Sequence, residues 1–168
     1  MPTTYGQIID KLKAYKSKYY KNLLLKGTIF TLLALLSAFL VINALEYVGN
    51  FSSIWRGVLF FSFLTAALLS LYFWITIPAL RLFNLNKPIS FDEAANQIGN
   101  YFPEVEDRLL NLLQLGRLNV QENALLVASI EQKAQKLSVI NFPDAVKYQS
   151  NNRYLKYLLS IILIFLVL

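Results

Sequence analysis

The sequence predicts an all-α integral membrane protein, and three observations carry that prediction. Two long uncharged runs sit close together, only 15 % of the 168 residues are charged, and the excess positive charge is confined to the N-terminal end. A soluble domain of this size carries about a quarter charged residues. This chain is 56 % apolar, with a mean hydropathy of +0.46.

The net charge of +6 is distributed very unevenly. Residues 1–26 hold Lys11, Lys13, Lys16, Lys18, Lys21 and Lys26 against Asp10 alone. Residues 46–56 and 81–153 are each neutral, and Lys156 supplies the remainder. A nucleic-acid footprint would be a basic face on a folded domain, so no nucleic-acid partner is expected. With no Cys and no His, disulfides, thiolate chemistry and the commonest general base and metal ligand are excluded.

The basic arm, residues 1–26, reads as an amphipathic interfacial helix. Ile8, Ile9, Leu12, Tyr15 and Tyr19 share one stripe, and Thr4-x-x-Gln7 fits a capping box at its start. On this reading Lys11, Lys13, Lys16, Lys18 and Lys21 face anionic lipid headgroups, each contributing on the order of 1 kcal/mol near the surface. The competing readings are an ordinary solvated face or one bound to a partner.

Residues 27–45 (GTIFTLLALLSAFLVINAL) and 57–80 (GVLFFSFLTAALLSLYFWITIPAL) carry no charge. As helices they measure roughly 28 and 36 Å against a hydrocarbon core of about 30 Å, so each is long enough to cross. Residues 46–56 then form an external loop, and the two spans form an antiparallel hairpin. Gly27, Thr31, Ala34 and Ala38 on the first span and Ser62, Ala66 and Ser70 on the second recur at helical spacing, which allows close backbone approach in lipid. Asn43 is expected to make an interfacial or interhelical hydrogen bond. Pro78 is expected to end or kink the second helix. The lysine-rich arm against the single Arg56 of the loop predicts a cytoplasmic N-terminus.

Residues 81–152 read as a small cytoplasmic helical domain. Ser90-Phe91-Asp92-Glu93 is a capping box with Ile89 ahead of it, opening a helix over 91–100. Pro103 suits the first position of the next helix and Gly116 its terminator, with Val105, Leu109, Leu112 and Leu113 on one face. A third helix over 121–137 places Leu125, Ala128, Ala134 and Leu137 toward its neighbour. Leu110, Leu115, Leu126 and Val127 fall off these stripes and are either partner-docking surface or deeper core. Glu104, Glu106 and Asp107 form the only group that invites a chemical role, as a metal or acid/base site; the alternative is a helix N-terminus with favourable acids and an Arg108–Glu104 pair. No phosphate loop, dinucleotide fingerprint or zinc motif is present, and no cofactor is expected.

Residues 153–168 begin a third apolar helix. The run from Tyr157 reaches only about 18 Å, which leads to the expectation that the chain continues beyond Leu168 in the full protein.

Residues 98–115 (IGNYFPEVEDRLLNLLQL) and 128–133 (ASIEQK), together with the two spans and the third, resemble the N-terminal region of a family of large uncharacterised Bacteroidota inner-membrane proteins. The resemblance covers nearly the whole chain and implies a few membrane helices followed by a long, coiled-coil-rich body. It carries no assigned activity. The expectation is a non-enzymatic anchor and scaffold module of a cell-envelope protein, multi-pass in the bacterial inner membrane and docking other membrane-protein subunits. The alternative is a subunit of a transporter or secretion channel.

Overall fold

The computed structural model describes residues 4–83, 88–117 and 124–167, without the side chains of Ala124 and Leu126. The described residues are helical, with no strand among them. They form two compact units: Met1–Tyr19 with Lys87–Lys147, and Tyr20–Asn86 with Tyr148–Leu168. Helix α1 (Thr4–Gly49) supplies residues to both.

The helical unit combines the first turns of α1 with α4 (Phe91–Gly99), α5 (Pro103–Arg117) and α6 (Ala124–Ser138). Helix α4 starts where the capping box requires: Glu93 N–H donates to Ser90 Oγ (3.0 Å) and Ser90 N–H donates to the Glu93 carboxylate (2.8 Å). Helix α5 starts at Pro103, which needs no amide partner there. Its stripe Val105, Leu109, Leu112 and Leu113 is buried against Ala94, Ala95 and Ile98 of α4 and Ile130, Ala134 and Leu137 of α6. Phe142, in the short 3₁₀ turn Phe142–Ala145, closes the core.

Three expectations are corrected here. Ile8, Leu12 and Tyr15, assigned from sequence to a membrane-surface stripe, lie buried in this core, because α4–α6 leave an apolar groove that the first turns of α1 fill. Gly116 does not terminate α5, which runs on through Arg117; a Cβ at Gly116 would sit 2.2 Å from the Tyr5 hydroxyl, so its role is close approach. On α6 the buried stripe is Ile130, Ala134 and Leu137, while Leu125 is 82 % exposed and Ala128 is exposed. The expected start of this helix at Gln121 lies outside the described residues.

Thr4, expected as the cap of helix α1, lies inside it. Thr4 is already helical and gives its N–H to Glu131 Oε1 at 2.9 Å, so the capping carboxylate comes from α6. Its hydrogen bonds with Thr4 hold the Glu131 carboxyl below the ordinary carboxylate range.

The apolar unit holds the rest of α1, then α2 (Ser53–Leu71), α3 (Ile77–Leu82) and α7 (Asn152–Val167). Helix α1 and the stretch Ser53–Leu82 are each long and apolar enough to cross a membrane. The expected loop over 46–56 shrinks to Asn50, Phe51 and Ser52, because α1 stays helical through Gly49 and Asn50 turns the chain with a left-handed φ of 41°. Asn tolerates that conformation where most residues do not. Glu46 and Arg56 pair across the turn at 2.9 Å.

Pro78 does not end the second helix. A wider π turn over Tyr72–Thr76 precedes it, with Ile77 N–H reaching back five residues to Tyr72 O, and the chain stays helical to Leu82. The proline ring would clash with the carbonyl of Trp74, four residues back, and the wider turn relieves that conflict.

Candidate functional site

The small-residue stripe on the first span is a real contact at its first two positions. A Cβ built on Gly27 would lie 1.9 Å from the backbone oxygen of Trp74, so the backbones meet where Pro78 has no N–H to offer that carbonyl. Thr31, one turn on, is 2 % exposed and its hydroxyl has no partner. Ala34 and Ala38 are half-buried. On the second span Ser70 is half-buried, but Ser62 and Ala66 are exposed. Their expected place in the hairpin contact is corrected: that face of α2 turns away from α1, and the Ser62 hydroxyl donates to Leu59 O at 2.8 Å. Asn43 likewise satisfies itself within its helix, donating to Phe39 O at 2.8 Å.

Helix α7 lies along α1 in the same direction. Asn151 donates to the Asn22 side chain at 2.7 Å, Tyr154 meets Phe30 edge-on at 4.7 Å, and Phe165 reaches Phe39 at 5.8 Å. Beside the far end of this pair is an apolar groove of about 620 Å³ lined by Phe39, Leu40, Asn43, Ala44, Tyr47 and Phe165. Outward, α2 presents Phe60, Phe61, Leu64 and Leu68, and α7 presents Leu159, Leu163 and Leu166, all exposed.

At the opposite end, α1 and the π turn with α3 flank an open groove of about 300 Å³. Lys26 and Arg81 line it beside Phe30, Trp74 and Pro78. Lys26 Nζ lies 5.5 Å from the ring centres of both Phe30 and Tyr154. Arg81 Nε is buried with no hydrogen-bond partner. Sequence reasoning did not single out this pair. The signal for it is that Lys26 immediately precedes one uncharged run and Arg81 immediately follows the other.

The arm lysines are differently employed. Lys11 Nζ donates to the carbonyls of Ser138 and Ile140, the latter at 2.9 Å, at the C-terminal end of α6. Lys13 pairs with Asp10 at 3.1 Å, and Lys16 sits 4.9 Å over the Phe91 ring, where burial lowers its pKa against the opposing pull of Glu93. Lys18 is half-exposed and Lys21 exposed.

Of the expected docking residues, Leu110 and Leu115 are half-buried against the helical core, Val127 is 49 % exposed, and the Leu126 side chain lies outside the described residues. Glu104 and Asp107 are exposed, while Glu106 packs beneath Gly99, where a Cβ would come within 2.5 Å of its own. No cluster of acidic residues positioned to hold a metal occurs among the described residues. Arg108 faces an open cleft with Asn111, Lys133 and Lys136 and is not paired with Glu104. Comparison with known protein families, curated proteins and solved structures finds no match for this chain.

Proposed function

We propose that this chain is a non-enzymatic membrane anchor and scaffold. Helix α1 and the α2–α3 helix cross the bacterial inner membrane with the N-terminus cytoplasmic, and other membrane-protein subunits dock on these membrane helices and on the cytoplasmic helical unit. Membership of a larger cell-envelope protein rests on the family resemblance alone.

One observation carries the membrane part. The most apolar window of Ser53–Leu82 has a mean hydropathy of 2.1 and none of it is buried. Soluble monomers rarely expose apolar patches beyond a few hundred Å², and a helix exposed on nearly every side exceeds that unless lipid covers it. The Ser and Thr hydroxyls of the span also bond to carbonyls of their own helix, as at Thr65 to Phe61 O (2.9 Å), which is how such groups are satisfied in hydrocarbon.

The chain has no Cys, so single-cysteine labelling tests the topology directly. Ser52→Cys should react with an impermeant maleimide on intact spheroplasts, and Gln132→Cys only after permeabilisation. Labelling of both from the same side, or release of the chain by alkaline carbonate, refutes the proposal. A transport subunit is the second reading, and the π turn over Tyr72–Thr76 favours it, since interrupted helices often mark transport paths. Solute flux through proteoliposomes of the purified chain would decide for it.

A further inference from the structure

We infer that the groove between α1 and α2–α3 holds the phosphate of an anionic phospholipid, bound by Lys26 and Arg81. This rests on the reading that both helices cross a membrane, and it assigns one specific lipid site where that reading gives only a general lipid surface.

The charges argue first. In the apolar unit the only described acid is Glu46, which is paired with Arg56 at the far turn of the hairpin. Lys21, Lys26, Arg81, Arg153 and Lys156 therefore have no carboxylate within the unit. Two of these line one groove. Lys26 is held there by the faces of Phe30 and Tyr154, 5.5 Å from each ring centre, and a ring face attracts its ammonium without neutralising the charge as an anion would. Arg81 lines the same groove with no carboxylate beside it, and its buried Nε–H has no acceptor, so its guanidinium is left for an anion such as a phosphate to pair.

Depth and shape argue next. Lys26 and Arg81 bound the two uncharged runs, residues 27–45 and 57–80, and the antiparallel hairpin brings these ends together. A lipid phosphate sits at that level, at the edge of the hydrocarbon. The rest of the groove is apolar, with Phe30, Trp74 and Pro78 along it, as an acyl chain requires. Basic pockets between membrane helices are recognised sites for acidic headgroups. The close approach of Gly27 to the Trp74 carbonyl fixes the distance between the two walls.

The experiment is native mass spectrometry of the full chain in mild detergent with added phosphatidylglycerol. Wild type should retain the lipid. Lys26→Gln and Arg81→Gln should each reduce retention about tenfold, whereas Lys21→Gln, outside the groove, should not change it. Lys26→Arg keeps the charge and guards against misfolding as the cause; it should retain lipid at unchanged helicity. Equal retention of phosphatidylcholine overturns the inference, as does undiminished binding by the double variant Lys26→Gln/Arg81→Gln. Displacement of the lipid by millimolar inorganic phosphate would overturn the lipid as the source of the phosphate. Alkaline carbonate extraction of the same chain separates the two readings: a chain that stays in the membrane yet shows no selective retention refutes this site alone, and a chain that is extracted refutes both.

Discussion

Leu12→Ala distinguishes a core role for the N-terminal arm from a membrane-surface one. Leu12 is fully buried among Ile8, Leu109 and their neighbours, so truncation removes the transfer energy of its side chain and leaves a cavity. Leu→Ala changes at such sites cost about 3 to 5 kcal/mol. For a small helical unit that is a large share of total stability. At about 1.4 kcal/mol per decade, the lower figure raises the open population roughly a hundredfold. Amide hydrogen exchange of α5 in the full chain in detergent should therefore quicken by about that factor in Leu12→Ala. Leu125→Ala is the control: Leu125 is 82 % exposed, and the change should stay within about 0.5 kcal/mol. If Leu12→Ala leaves α5 exchange unaltered and instead weakens vesicle binding, the arm belongs on the lipid surface and the reasoning fails.

Gly27→Ala should lower the melting temperature in detergent, because the new methyl meets the Trp74 backbone at 1.9 Å and backbone cannot step aside; overpacking of this kind costs about 1 to 3 kcal/mol. Gly57→Ala has open space around it and should raise the melting temperature, by about 0.5 to 1 kcal/mol of helix propensity. Tyr15, buried and beside Tyr19, has its phenol pushed up from 10.0 to about 12, so its neutral form stabilises the fold fully below pH 10 and that contribution is lost as pH rises through about 12. Tyr15→Phe should flatten this alkaline loss in a denaturation series, although it also removes the 3.0 Å hydrogen bond to Gln97. Glu131 runs the other way: its lowered pKa contributes stability above the ordinary value of 4.5, lost as pH falls through the depressed one. In Glu131→Gln, the protection factors of the first amides of α1, with the intrinsic pH dependence of exchange divided out, should no longer change with pH in that acid range.

What is legible in the sequence is what is decided locally. The Ser90 capping box and the start of α5 at Pro103 depend on residues within a turn or two of each other and are found where their patterns put them, and the two uncharged runs fall in two long apolar helices whose ends reach beyond them. Two of the misreadings involve a partner from elsewhere in the chain. On helix α6 the expected face of Leu125, Ala128, Ala134 and Leu137 is buried in its second half, while Ile130 takes the place of Leu125 and Ala128 in the first. Periodicity allows either set there, and the position of the packed helices selects Ile130. Gly116 has the composition of a helix terminator, yet what keeps it small is the Tyr5 ring from over a hundred residues earlier. The groove between α1 and α3 is hidden for the same reason: Lys26 and Arg81 are ordinary flanking charges until the hairpin closes.

The basic arm shows how a composition signal can serve two ends. Its excess of lysine reads as an orientation device, and charge counting makes no distinction among the six. The structure does distinguish them. Lys11 satisfies carbonyls at the end of α6, Lys16 covers Phe91, and Lys26 is held between two rings, so these three are tied to particular neighbours. Lys13 spends its charge on Asp10 at the surface, where such a pair contributes little, and Lys21 stands exposed. An orientation signal needs only that cations lie near the membrane on one side, which leaves each lysine free to take on a local structural task without weakening the bias. Substituting them one at a time therefore separates fold from topology, since every substitution removes the same charge while Lys11, Lys16 and Lys26 also release particular neighbours that Lys21 does not hold.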